Sequence, residues 1–392
     1  MTSRRIACVT PMFWPAIGHT QTSVMDLVDS LHASGQQVTI FTPKLEPDWA
    51  AHFMFHEVPV HRIERTISRP WSRGRYARST ERLLRQINSD WDAIVVCGVG
   101  EELNGIAQAN PPLTKNLFLR LDHQFVTGQG QPPLPRPTRQ LMYACQQILY
   151  NCNSIAGWLA ANGFQPERVH FLPDCLDGHA ISNQTDTSRD VAREVLADLN
   201  PLLNFDRNQP IVLCGMPMLK DAGWFDLLNA WQRVRRALPR AQLVLAGDGP
   251  HARSIWNHIN SHNLQGSIIM PGWFDDWSDL ILAADVYVHP ASSPIACPFL
   301  LRAMASGVCT LSTDFGQCDL LSHDQSALLI PSGREDKLAD TILLALRNPE
   351  LRTRLGQAGR STILSHRSRD KMAAMILDLI DQRSVEVCGT NL

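Results

Sequence analysis

Apolar residues along this chain gather into short runs, separated by longer stretches in which they recur with helical spacing. The first series of runs is RRIACVT, QQVTIFT, WDAIVVCG, NLFLRLD and QILYNC; the second is PIVLCGM, AQLVLAGDG, SIIMPG, DVYVHP, VCTLS and ALLIP. Runs that stay apolar instead of alternating predict strands buried on both faces, and their alternation with helices predicts parallel sheets. Between residues 20 and 33, Val24, Leu27, Val28 and Leu31 share one helix face, and Gly35 stops the helix. Asn153 or Ser154 caps SIAGWLAAN before Gly163, Gly249-Pro250 opens HARSIWNHI, and Asn348-Pro349 opens ELRTRLGQA.

The two series are divided by DGHAISNQTDTSRD, which is polar and aperiodic, then by a short helix, VAREVLADLN, and by FDRNQP. The reading is α/β, with two doubly wound, Rossmann-like domains in tandem. A ligand crevice is expected where the carboxyl ends of the two sheets face each other. The boundaries drawn are 1–178 for the first domain, 179–208 for a linker, and 209–365 for the second domain. Residues 366–392 form a C-terminal helix and tail with room to cross back to the first domain.

Composition leaves this picture intact. The 392 residues are 44% hydrophobic and 19% charged, enough for two cores and ordinary for a soluble globular protein. A net charge of -2 gives no global attraction to nucleic acid. The 10 cysteines are scattered, several inside apolar runs, as expected of buried free thiols in a reducing compartment. No C-x-x-C occurs, and no metal ligation is expected. MTSRRIACVTPMFWP reads as a first strand and not a leader, because Pro11 breaks its apolar run. No apolar segment approaches the roughly 18 residues that span a bilayer.

Candidate chemistry lies where strands end. In TPMFWPAIGHTQT, Gly18 and His19 stand between a strand and a helix N-terminus, where backbone N–H groups can meet a phosphate or sugar; an ordinary βα turn reads the same way. Lys220 stands just before a helix in PMLKDAG, where a lysine can reach a phosphate as a point charge or simply be solvated.

Taken together, these segments resemble the retaining, nucleotide-sugar-dependent glycosyltransferases of the GT-B fold, family 4. The resemblance runs along nearly the whole chain. It rests on PAIGHTQTSVMDLVDSLHASGQQVTIFT, NSIAGWLAANGF with VHFLPDCLD, LVLAGDGPHARSI, PGWFDDWSDLILAADVYVHPASS, RAMASGVCTLSTD and QSALLIPSGREDKLADTILLALRNPELRTRLGQAGR, in that order. It implies a nucleotide-sugar donor as substrate with no further cofactor, and a glycan or lipid-linked acceptor. It implies donor contacts at Gly18, His19, Asp248, Gly249, Trp273 and Phe274, with Trp273 either stacking on a base or packing at the rim. His123, in NLFLRLDHQF, falls where the family often has a histidine near the reacting sugar, and a capping or surface role reads equally well there. Lys220 matches the family lysine that meets the departing diphosphate, which makes His123 and Lys220 the catalytic candidates.

One segment departs from the family. Its two motif glutamates, which accept hydrogen bonds from the donor sugar and from the ribose, fall on Pro294 and Arg302, neither of which can accept. No Asp or Glu occurs from Val286 to Thr313, so a shifted alignment restores neither. The turn that presents backbone N–H groups to the pyrophosphate reads Ala296-Cys297-Pro298, and Pro298 lacks one. The family arginine near GMPMLK falls on Met216 or has no match. At roughly 1.5 to 3 kcal/mol per charge-assisted hydrogen bond, two lost contacts weaken a standard donor complex about 10²- to 10⁴-fold. Arg302 could instead offer its fork to a phosphate, or simply face outward.

From His61 to Arg85 the chain holds eight arginines against Glu64 and Glu81, with Trp71 and Tyr76 among them. Such a patch suits an anionic membrane surface or a solvated helix face, and no recognition module for nucleic acid accompanies it. The expectation is a cytoplasmic hexosyltransferase-type enzyme of polysaccharide or glycolipid assembly, peripheral to the inner face of the cell membrane, with an altered donor mode. The alternative is a catalytically silent GT-B protein that serves as a binding or regulatory partner. An epimerase on the same fold is a further reading. A dinucleotide oxidoreductase lacks its G-x-G-x-x-G and distal acid.

Overall fold

A computed structural model describes residues 3–15, 19–64, 73–88, 90–107, 109–110, 112–114, 116–122, 136–151, 153–176, 181–220, 222–272, 276–291, 298–314 and 320–389. The chain divides into two compact units, Met1–Cys175 with Arg369–Leu392, and Leu176–Ser368. The polar stretch 179–208 therefore belongs to the second unit.

In the first unit the described elements run β1 (Arg5–Val9), α1 (His19–Ala33), β2 (Gln37–Lys44), β3 (His52–Phe55), β4 (Val58–Glu64), α2 (Arg73–Ile87), β5 (Ala93–Cys97), α3 (Glu101–Ala107), β6 (Leu117–Leu121), α4 (Arg136–Ala144), β7 (Gln147–Tyr150), α5 (Asn153–Ala161) and β8 (Val169–Phe171). The sheet order is β3-β4-β2-β1-β5-β6-β7-β8, parallel except for the β3–β4 hairpin. The second unit runs α6 (Asp186–Leu199), β9 (Ile211–Gly215), α7 (Trp224–Ala237), β10 (Gln242–Ala246), α8 (Ala252–Ser261), β11 (Ile268–Gly272), α9 (Ser278–Ala283), β12 (Val286–His289), α10 (Pro298–Ala305), β13 (Cys309–Thr313), β14 (Leu328–Ile330), α11 (Glu335–Arg347) and α12 (Pro349–His366). Its sheet is parallel in the order β11-β10-β9-β12-β13-β14.

Each apolar run forms its strand, and β1, β5, β6, β9, β12 and β13 are buried almost end to end. The α1 stripe of Val24, Leu27, Val28 and Leu31 is fully buried. It packs in one core cluster with Met372, Ala373, Ile376 and Ile380 of α13 (Arg369–Gly389), so the last helix completes the first unit. The helix expected from Val191 begins five residues earlier, at Asp186, because Thr185 and Ser188 form a reciprocal capping box. Asn348 caps α12 by accepting from Leu351 N, with Pro349 in its first turn.

Burial revises the arginine-rich patch. Arg62 is only 6% exposed, lies over the Trp49 and Phe53 rings at 4.8 and 4.3 Å, and donates to the carbonyls of Ala50 and Trp14. Tyr76 belongs to the core. Arg75, Arg78 and Arg82 remain exposed, at helical spacing along α2, while Trp71 lies outside the described residues. Among the described residues, no helix is long and apolar enough to cross a membrane, and no group of three His, Cys, Asp or Glu could hold a metal ion.

Candidate functional site

Chain order reverses between β9 and β12: β10 and β11 extend the sheet one way from β9, while β12, β13 and β14 extend it the other. The carboxyl ends of such a strand pair leave a crevice open to ligands. The loop that follows β9, Met216 to Lys220, forms one wall there.

This loop is held by backbone pairing and not by its side chains. Met216 N donates to Ala246 O at 3.2 Å, Met218 N to Asp248 O at 2.9 Å, and His251 N to Met218 O at 3.1 Å. Gly249 has φ +155°, and a Cβ there would lie 2.7 Å from the Met218 carbonyl oxygen. Only glycine allows the two loops to approach so closely. Beneath them, Tyr287 Oη donates to Gly215 O at 2.7 Å, and Trp224 Nε1 to Pro217 O at 3.3 Å. The floor is aromatic: Trp277 stacks on Phe299 with centroids 3.8 Å apart.

Met216 and Met218 are wholly buried, whereas Lys220 is exposed at the far end of the loop. Met216 thus serves the core, and Lys220 is the cation that this loop offers. Asp248 is exposed, and its Oδ1 accepts the amide of Gly249 at 2.7 Å. That bond closes the GDG turn on itself, so the Asp248 carboxylate is a loop-shaping group.

On the other side of the switch point, Pro298 opens α10 and is buried. Arg302 follows one turn later, half-buried, with no carboxylate partner among the described residues. The neighbouring strand end carries Asp314, whose Oδ1 accepts Ser332 N at 2.9 Å. Gly18, His123, Trp273, Phe274, Pro294, Ala296 and Cys297 lie outside the described residues, and His19 is described only as the first residue of α1.

The first unit holds a group that sequence reasoning missed. At the carboxyl edge of its sheet, Arg120 Nη2 lies 2.7 Å from Asp174 Oδ1, and Asn151 Nδ2 donates to Asp174 Oδ2 at 3.0 Å. Ser23, in the second turn of α1, hydrogen-bonds both Arg120 and Asp174. Burial alone would lower the Arg120 pKa, but Asp174, together with Cys97, Asp122 and Cys8, outweighs it and the guanidinium is held above its ordinary range. The group ties the start of α1 to three strand ends. Its signal was a charge inside an apolar strand, LFLRL, which a solvated residue would not tolerate.

The cysteines of the described strands are free and buried. Burial pushes the Cys145 and Cys309 thiols up to about 12, so neither offers a thiolate at neutral pH.

Residues 200–362 match the family model described as Glycosyl transferases group 1. The match lies within the second unit. The chain is 26% identical to the lipopolysaccharide core biosynthesis glycosyltransferase LpsE of Rhizobium meliloti over 215 residues, 55% of this chain and 61% of that protein, which is less than two thirds of it. It is 20% identical over 389 residues to a GDP-mannose-dependent monoacylated alpha-(1-6)-phosphatidylinositol monomannoside mannosyltransferase of Corynebacterium glutamicum, covering 96% of this chain and 98% of that one. Among solved structures, Anabaena HepE in complex with UDP and glucose superposes with a TM-score of 0.77 at 15% identity, covering 96% of this chain and 99% of HepE. The fold is that of the GT-B glycosyltransferases, with two Rossmann-like units.

Proposed function

We propose that this protein is a glycosyltransferase that binds a nucleotide-sugar donor at the carboxyl edge of its second unit and transfers the sugar, with retention, to a hydroxyl of a glycan or lipid-linked acceptor. The family match and the glycosyltransferase relatives support a transferase enzyme. The observation that carries the reading is the loop from Met216 to Lys220, threaded against Gly249 at the strand switch point and ending on an exposed lysine. A diphosphate lying there would meet the Lys220 ammonium, which stabilises charge as the sugar–phosphate bond breaks.

The donor mode differs from that of the family it resembles. With no carboxylate from Val286 to Thr313 to receive ribose or sugar hydroxyls, recognition shifts toward the phosphates. Arg302 can supply a planar fork to them. Transfer with retention needs little from a side-chain base when the acceptor approaches on the face that the diphosphate leaves. His123, Trp273 and Phe274 are sequence-based candidates for the remaining contacts. The exposed arginines of α2, Arg75, Arg78 and Arg82, support peripheral binding to an anionic cytoplasmic membrane face.

The test is calorimetric titration of the full chain with UDP, GDP, ADP and their hexose conjugates. Saturable binding of at least one nucleotide, weakened about 10-fold or more by Lys220→Ala, is the expected result. Absence of binding by all of them at millimolar concentration would overturn the donor-dependent reading.

A further inference from the structure

A second charged site lies at the opposite, amino edge of the second sheet, where several guanidinium groups converge on one carboxylate. Asp285 immediately precedes β12; its Oδ1 is 3.3 Å from Arg189 Nη1 and 3.8 Å from Arg352 Nη2, and its Oδ2 is 3.2 Å from Arg193 Nη2. Its Oδ2 also accepts Ile211 N at 2.8 Å. A cavity of ≈ 190 Å³ opens beside it, lined by Arg189, Arg193, Arg207 and Arg352, with Asp285 the sole carboxylate of the lining.

These arginines are not equivalent. Arg193, 4% exposed, is saturated by the carbonyls of Ala283, Asp206 and Arg207. It is structural. Burial lowers its pKa; Asp285 opposes that fall and neighbouring Arg189 adds to it. Arg352 is anchored through Nη1 on the carbonyls of Ala345 and Leu346, both at 2.8 Å, while its Nη2 is beyond hydrogen-bond distance of Asp285. Arg189 reaches Asp186, a carboxylate that is 90% exposed, and its buried Nε has no partner among the described residues. Arg207 pairs with Asp190 at 2.6 Å. Four guanidinium groups, Arg189, Arg193, Arg207 and Arg352, meet three carboxylates, Asp285, Asp186 and Asp190, and an anion among them offsets the remaining positive charge.

The cavity adjoins a second one of ≈ 430 Å³ that shares Arg189, Asp285 and Arg352. Apart from the Asp186 carboxylate, which pairs with Arg189, polar side chains such as Asn183, Thr353 and Gln357 line the remainder. That volume is within the range of about 300 to 1,000 Å³ typical of small-molecule pockets.

We propose that the two cavities form a binding site for a phosphate dianion, carried either by orthophosphate or by a sugar phosphomonoester, held by Arg189, Arg207 and Arg352. Guanidinium forks match phosphate oxygens in pairs, which a single ammonium does not. Asn183, Thr353 and Gln357 in the larger cavity offer hydrogen-bond partners to the hydroxyls of a sugar. The site is separate from the strand switch point and does not depend on the donor reading.

The test uses full-length Lys220→Ala protein, so that the loop after β9 does not contribute its cation. Orthophosphate and glucose 1-phosphate are titrated at ionic strength matched with sodium chloride, with calorimetry and thermal unfolding as readouts. Saturable binding with a raised unfolding midpoint is expected, and Arg189→Gln or Arg207→Gln weakens it about 10- to 100-fold. The Arg207 side chain is 79% exposed, so its replacement leaves the fold in place. Tighter binding of glucose 1-phosphate than of orthophosphate assigns the site to sugar phosphates; equal affinities assign it to the phosphate alone. A midpoint no higher than in chloride, or binding that survives in both arginine variants, overturns the proposal.

Discussion

Arg120 Nη2 and Asp174 Oδ1 lie 2.7 Å apart, with side chains only 2% and 10% exposed. Removing one partner of such a pair strands the other charge in a site that water does not reach, at a cost of about 3–5 kcal/mol. Arg120→Met or Asp174→Leu alone should therefore lower unfolding stability by about that amount in urea titrations. The double variant should lose much less than the sum. Equal, additive losses below about 1 kcal/mol would show that the pair is solvated.

Gly223 opens α7 with φ +75°, and a Cβ there would lie 1.8 Å from the Pro290 carbonyl oxygen, across the strand switch point. Gly223→Ala cannot be absorbed by a side-chain movement, because the obstacle is backbone. The expected outcome is displacement of the loop before α7 and a loss of nucleoside diphosphate affinity of at least about 10-fold. Calorimetry on the variant checks it; unchanged affinity would mean that this junction does not shape the site.

Acid should weaken the fold through two histidines. His61 is depressed by burial and then by His52, whose Nδ1 lies 2.8 Å from its own; His258 is depressed by burial and then by His262. A group whose folded pKa lies below its unfolded value costs nothing above the ordinary histidine pKa of about 6.5 and penalises the folded state as pH falls below it. The thermal midpoint should thus fall between pH 7 and pH 5, and His61→Gln with His258→Gln should flatten that slope. A midpoint slope identical in the double variant would contradict the assignment.

Six described cysteines, Cys8, Cys97, Cys145, Cys175, Cys214 and Cys309, are free and buried. Iodoacetamide at pH 8 should leave all of them unlabelled in the native protein and label them once denaturant is added, as read by peptide mass spectrometry. Rapid native labelling at Cys145 or Cys309, held up to about 12 by burial, would show that the surrounding elements open.

Strands that are apolar from end to end, such as AIVVC and IVLCG, declare themselves in the sequence because only burial on both faces tolerates them. The β3–β4 hairpin does not. Its register, Phe55 opposite Val58, leaves His56 and Glu57 as the turn, both at positive φ, where Asn and Gly would be the recognisable choice. The early start of α6 was hidden for a related reason: the capping box at Thr185 and Ser188 lies in a polar stretch whose lack of periodicity reads as loop. At the candidate site, the glycines and Lys220 were visible because turns and charges at strand ends follow local rules. The arginine cluster around Asp285 was not, since Arg189, Arg193 and Arg352 meet only when α6 and α12 pack at the same sheet edge.

The central claim is that a phosphate-directed donor site survives at the carboxyl edge of the second unit although arginine stands at position 302 in place of an acceptor. The most direct measurement is the affinity of a nucleoside diphosphate for the native protein, Arg302→Ala and Arg302→Glu at fixed ionic strength. The account predicts a fall of about 10-fold or more for alanine and a further fall for glutamate, because each removes a cation from the phosphates. Tighter binding by Arg302→Glu would contradict it, since the position would then be a vacated carboxylate site and not a phosphate contact.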